Sequence, residues 1–111
     1  MTDPTDPVEA QLQAFNQHDL EGFVACFTED ICACSLTDGP YLVGREQFRE
    51  SYQDLFASNP DIQAIPLYRA VVGEFVIDHE RIVGRNGAPD RDSVVAYRLR
   101  GSLIDRFWFV R

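Results

Sequence analysis

Apolar residues recur along this chain at helical spacing in its first half and alternate with polar ones in its second. Val8, Leu12 and Phe15 fall on one side at helical spacing, which predicts a helix over residues 7–16. Asp6 is placed to cap it, Pro7 loses nothing at the first helical position, and Glu9 can complete a capping box. After the break Asn16-Gln17-His18, Asp19 can cap a second helix in which Leu20, Phe23, Val24 and Phe27 share a face, with Gly22 lowering the propensity. Residues 31–36 suit a strand, Asp38-Gly39-Pro40 a turn, and Tyr41-Leu42-Val43 a short return. Gly44 releases the chain into a third helix over residues 45–57, with Phe48, Tyr52, Leu55 and Phe56 on one face, and Asn59-Pro60 ends it. Such short helices are marginal alone and need a larger surface to pack on.

That surface is a sheet. Residues 62–72, 75–84, 93–100 and 103–111 read as strands, with hairpin turns at Gly73-Glu74 and Gly101-Ser102 and a longer loop over residues 85–92. Pro66 denies one ladder bond, which points to an edge or a bulge. The expected fold is α+β: three helices on one side of a strongly curved, mostly antiparallel sheet, forming one domain over residues 7–111 after a lead-in of residues 1–6. Long strands coil, and a coiled sheet under three short helices leaves a hollow at one end. The strands are apolar in both phases, so the outer face is expected to be covered by a second copy of the chain.

Composition narrows the class. At 111 residues and 45% hydrophobic the chain is no disordered tail, and it suffices for a core without disulfides or metal. Eighteen acidic residues against ten basic ones give a net charge of −8. The later arginines are interspersed with acids and apolar positions rather than grouped, so no nucleic-acid partner is expected. Neither a secretory signal nor a membrane span is read from the sequence. Three cysteines without a disulfide framework suggest the cytoplasm.

The stretches AFNQHDLEGFVACFTEDI (residues 14–31), GREQFRESYQDLF (44–56) and GSLIDRFWFVR (101–111) resemble the nuclear-transport-factor-2-like superfamily, which includes SnoaL-like and ketosteroid-isomerase-like proteins. The resemblance runs from residue 7 to the end. It implies a cone-shaped roll with a pocket, and dimers through the open sheet face. It implies no single activity, because the fold hosts isomerases, cyclases, dehydratases, hydrolases and binding modules. In the steroid isomerases of this group a tyrosine and a protonated aspartic acid hold the oxyanion, and a second aspartate shuttles the proton. Those positions fall on Gln11, Val95 and Ser35 here. Serine is no carboxylate base and valine donates no hydrogen bond, so steroid-isomerase chemistry is not expected.

Individual residues supply the remaining candidates. His79 shares a strand phase with Phe75, Ile77, Arg81 and Val83; facing the hollow it can act as a base near neutral pH, and facing outward it pairs with nearby acids. Asp105 shares a face with Leu103, Phe107 and Phe109, where desolvation disfavours its charge, unless it pairs with a strand arginine such as Arg98. His79 and Asp105 are the candidate base and acid of a cofactor-independent isomerase, lyase or cyclase, which requires both in one cavity. Tyr52, Arg69, Tyr97 and Trp108 are the candidate ligand contacts, through hydroxyl, guanidinium and ring, with core, solvated or interface roles as the alternatives. His18 is expected to be structural. Cys32 and Cys34 lie on one strand face as buried small residues, and no metal or cofactor is expected. The function expected first is a pocket for a small apolar or aromatic metabolite, with the enzyme and a protein-interaction domain as alternatives.

Overall fold

The computed structural model describes residues 5–110. Its elements are α1 (Asp6–Asn16), α2 (Leu20–Val24), β1 (Phe27–Ser35), β2 (Gly39–Val43), α3 (Arg45–Ser58), β3 (Gln63–Val72), β4 (Phe75–Val83), β5 (Arg91–Arg100) and β6 (Leu103–Val110). The strands form one open sheet in the order β2-β1-β6-β5-β4-β3. Every neighbouring pair is antiparallel except β1 with β6, which run parallel, so the sheet is mixed. The three helices pack on one face of it. No helix among the described residues is long and apolar enough to cross a membrane.

Two local expectations change. The second helix stops at Val24, and Phe27 opens β1 opposite Ile104. A ladder to a strand far along the sequence outweighs the helical spacing of Phe27, and Ile104 N–H donates to Cys26 O at 3.0 Å. At the amino end Asp6 is the first helical residue, and Thr5 holds the cap position without a side-chain bond that caps the helix. The capping box does not form, because the Glu9 carboxylate accepts from Arg69 instead. Residues 1–4 of the lead-in, and Arg111, lie outside the described residues.

Other devices behave as the sequence suggests. Asp19 caps α2 by accepting from Gly22 N at 3.1 Å. Pro66 sits on edge strand β3, at a register shift between Pro66 and Tyr68. His18, at a positive φ of 56°, stacks on Phe56 and bonds the Ile62 carbonyl at 2.8 Å, which ties the α1–α2 corner to the start of β3. Gly84 ends β4 at a positive φ of 72°, and a Cβ there would meet Asp61 O at 2.0 Å, so only glycine fits. An aromatic cluster lies inside the otherwise aliphatic core: the Phe23 ring lies 5.0 Å from Phe27, 5.4 Å from Phe48 and 4.6 Å from Tyr52. This cluster joins α2, α3 and the sheet, and it leaves the space between α1, α3 and the far strands unfilled.

Candidate functional site

A cavity of about 530 Å³ occupies that space. Its walls include Leu12 and Phe15 of α1, Leu55 of α3, and Ile62, Ile82 and Phe109. Asp54, Asn59, Arg85, Asn86 and Arg91 also line it, from the carboxyl half of α3, the β4–β5 loop and the start of β5. Four buried polar residues are part of the lining: Gln11, Glu80, Ser93 and Tyr97. Size and apolar walls match an ordinary small-molecule site.

The phase of β4 decides which side chains the cavity receives. Val76, Asp78, Glu80 and Ile82 alternate inward, and Phe75, Ile77 and His79 take the other face. Asp78 is fully buried, and Arg69 holds it at both carboxylate oxygens, Nε at 2.6 Å and a terminal nitrogen at 2.8 Å. The same guanidinium reaches Glu9 of α1. Glu80 is 4% exposed, and no ion pair reaches it among the described residues. Burial pushes its carboxyl up to about 7, the Asp78 charge pushes the same way, and Arg69 opposes both. Such a group is shared between its acid and base forms at neutral pH.

The neighbours of Glu80 offer hydrogen bonds. Ser93 is its direct ladder partner, and the buried Ser93 Oγ has no hydrogen-bond partner among the described residues. Gln11 Nε2 donates to the Tyr97 hydroxyl at 3.1 Å, which leaves the phenol proton for another acceptor. Burial raises the Tyr97 phenol well above its ordinary value, and the charges of Glu80 and Asp78 add to this, so it remains a donor.

The residues anticipated from the sequence divide. Tyr52 and Tyr97 line the cavity. His79 does not: it lies on the opposite face, 40% exposed at its side chain, with Nε2 at 3.0 Å from Asp92. Asp105 does not line it either. A register shift between Arg98 and Leu99 leaves it without a ladder partner, and Arg98 takes both its oxygens at 2.8 and 3.1 Å. The expected His79–Asp105 pair is therefore not assembled in a cavity; one is out of phase and the other sits at a bulge. Trp108 is on the outer face, 6.1 Å from Phe75, and Arg69 is committed to Asp78 and Glu9. Of the steroid-isomerase positions, Gln11 lines the cavity, Val95 is in the core, and Ser35 bonds Thr37 and Asp38 in a turn. Glu80 was missed. Its signal is the alternation on β5, where Val95, Tyr97 and Leu99 mark the inward phase that Ser93 shares.

The family model for the SnoaL-like domain matches residues 8–109. The chain belongs to this family. Its SnoaL-like roll is shared with solved structures of the nuclear-transport-factor-2-like superfamily. An uncharacterised cystatin-fold protein from Novosphingobium aromaticivorans is 24% identical, with each chain covered over 100% and a TM-score of 0.91. A ketosteroid-isomerase-like protein from Catenulispora acidiphila, solved with trimethylamine, is 19% identical over 96% of this chain and 85% of its own, with a TM-score of 0.82. IdmH from Streptomyces antibioticus, proposed to be a polyketide cyclase, is 20% identical over 98% and 91%, with a TM-score of 0.80. These likenesses establish the fold. No curated protein matches the chain significantly.

Proposed function

We propose that this SnoaL-like domain takes a small, largely apolar or aromatic metabolite into its cavity, and that Glu80 moves a proton to or from it without a cofactor. The reaction class is an isomerisation, elimination or ring closure. The observation that carries this reading is the buried Glu80 carboxyl, held near pH 7 inside a cavity of substrate size. Ser93 and the Gln11–Tyr97 pair supply hydrogen bonds to a ligand oxygen while Glu80 exchanges the proton. The assignment proposed for IdmH supports ring closure within that set. The three free thiols fit a reducing, cytoplasmic setting. The outer sheet face at β4, with Phe75 and Ile77 only partly covered, is the surface for pairing with a second copy.

A second reading keeps the cavity and drops the reaction. The Catenulispora protein holds trimethylamine, and a carboxylate among aromatic rings suits a small organic cation. Native mass spectrometry against carbonyl metabolites and small amines separates the two. Under the enzymatic reading a neutral carbonyl compound binds and still binds to Glu80→Gln, which no longer turns it over. Under the cation reading an amine binds and Glu80→Gln loses it. Carbon-detected titration of the Glu80 carboxyl completes the test: a midpoint in the ordinary range removes the acid–base role.

A further inference from the structure

A second cluster lies on the other side of the sheet, away from the cavity. Period two on β1 makes Ala33 the ladder partner of inward Phe107, and puts Cys32 and Cys34 on the outer face. Their Sγ atoms are 3.6 Å apart, and the residues are 6% and 2% exposed. The ladder sets Arg106 beside Cys32 and Trp108 beside Cys34, with the Arg106 guanidinium 5.8 Å from the indole centre. We propose that Cys32 and Cys34 form a dithiol site for a monosubstituted trivalent arsenical, the thiophilic class whose bonding fits this pair.

Geometry separates this from a redox disulfide. Residues two apart on a strand have Cα atoms about 6.6 Å apart, close to the upper limit that disulfides accept. The sulfurs would also have to close from 3.6 Å to about 2.0 Å. The strand that would have to bend is held by β2 on one side and β6 on the other. A single bridging atom about 2.3 Å from each sulfur spans about 3.3 Å at a pyramidal angle and about 3.7 Å at a tetrahedral one. The two sulfurs therefore need shift little, although the side chains that cover them must open to admit the substituent. Zinc would need further ligands, and no group of three or more His, Cys, Asp or Glu stands together among the described residues. An arsenic centre that keeps one carbon substituent needs only two sulfurs.

The chemistry balances without a redox partner. Two S–H and two As–OH bonds break, two As–S bonds form, and two waters leave, with arsenic trivalent throughout. Neutral thiols can enter such a condensation, which suits Cys34, whose thiol is pushed up by burial and by Cys32. Cys26, on the α2 side of the molecule with its thiol donating to Gly22 O at 3.4 Å, is a built-in single-thiol control.

Phenylarsine oxide, which hydrates to the dihydroxy form, tests the site on the full chain. Intact mass spectrometry is expected to show one phenylarsenic group per chain and the loss of two alkylatable thiols. The adduct should survive excess glutathione and release to ethanedithiol. Cys32→Ser and Cys34→Ser should each weaken binding by at least about 100-fold, because the second bond is intramolecular, whereas Cys26→Ser should not. Alanine variants at both positions, checked by circular dichroism, guard against a folding artefact. Absence of the adduct, its removal by glutathione, or single variants that bind like the parent would overturn the assignment.

Discussion

The two faces of the β4–β5 ladder are built from alternate residues of the same strands, yet they treat charge in opposite ways. On the outer face His79 and Arg81 share Asp92 at 3.0 and 2.9 Å, and all three side chains are substantially exposed to water. On the inner face Asp78 is wholly enclosed and held by one arginine, and two residues along Glu80 faces the cavity with no ion-pair partner among the described residues. Solvent screens the first group and makes it energetically minor. It screens the second far less, because Asp78 is fully buried and Glu80 nearly so; there a missing partner is costly and a buried carboxyl holds its proton to neutrality. One step in strand phase thus separates a surface ion pair from a poised acid.

The sharpest way to break this contrast is to remove the partner on each side. Arg69→Ala strands the Asp78 carboxylate and should cost about 3–5 kcal/mol in urea unfolding. Arg69→Ala with Asp78→Asn should recover part of the loss, while Arg81→Ala on the outer face should leave the unfolding midpoint nearly unmoved. Equal losses on the two faces would erase the distinction.

Glu80→Gln comes next. The folded carboxyl titrates near 7 against an ordinary 4.5, so between those values the native state keeps a proton that the unfolded chain has released. The stabilisation from this proton is complete below about pH 4.5 and is lost as pH rises through 7, a change of about 3 kcal/mol. Stability measured from pH 4 to 8 should show this decline in the parent, and the glutamine variant should lack it. Superimposable profiles would contradict the buried-acid picture.

Smaller effects belong to the outer face. Ile77→Arg should weaken self-association by about 10-fold in analytical ultracentrifugation, and a parent chain that is monomeric throughout would remove that role. His79→Ala should change least. Cavity ligands should bind as before, and Asp92, whose carboxyl Arg81 and then His79 hold below its ordinary value, should titrate slightly higher by NMR.

How much of this was legible follows the same division. The first and third helices and the last four strands could be read because apolar spacing, proline and glycine agree there. The start of β1 could not, since Phe27 answers to Ile104, a partner that no local pattern names. Tyr52 and Tyr97 were accessible through helix spacing and the strong alternation of β5. Glu80 was missed by one residue in favour of His79, because β4 is apolar in both phases and its inward phase carries two acids. Carrying the phase of β5 across to β4 needs the register, Glu80 opposite Ser93, which a long loop conceals. Asp105 escaped because a bulge breaks the alternation on which the reading relied.

Arg69 fastens the amino-terminal turn of α1 to β4 through Glu9 and Asp78, and its charge also eases ionisation at Glu80. Mechanical seating of the helix and electrical tuning of the cavity floor therefore share one side chain. Any fluctuation that drew the guanidinium outward would tighten Glu80's hold on its proton while opening the wall above it, so the molecule would be at its least acidic when most agape.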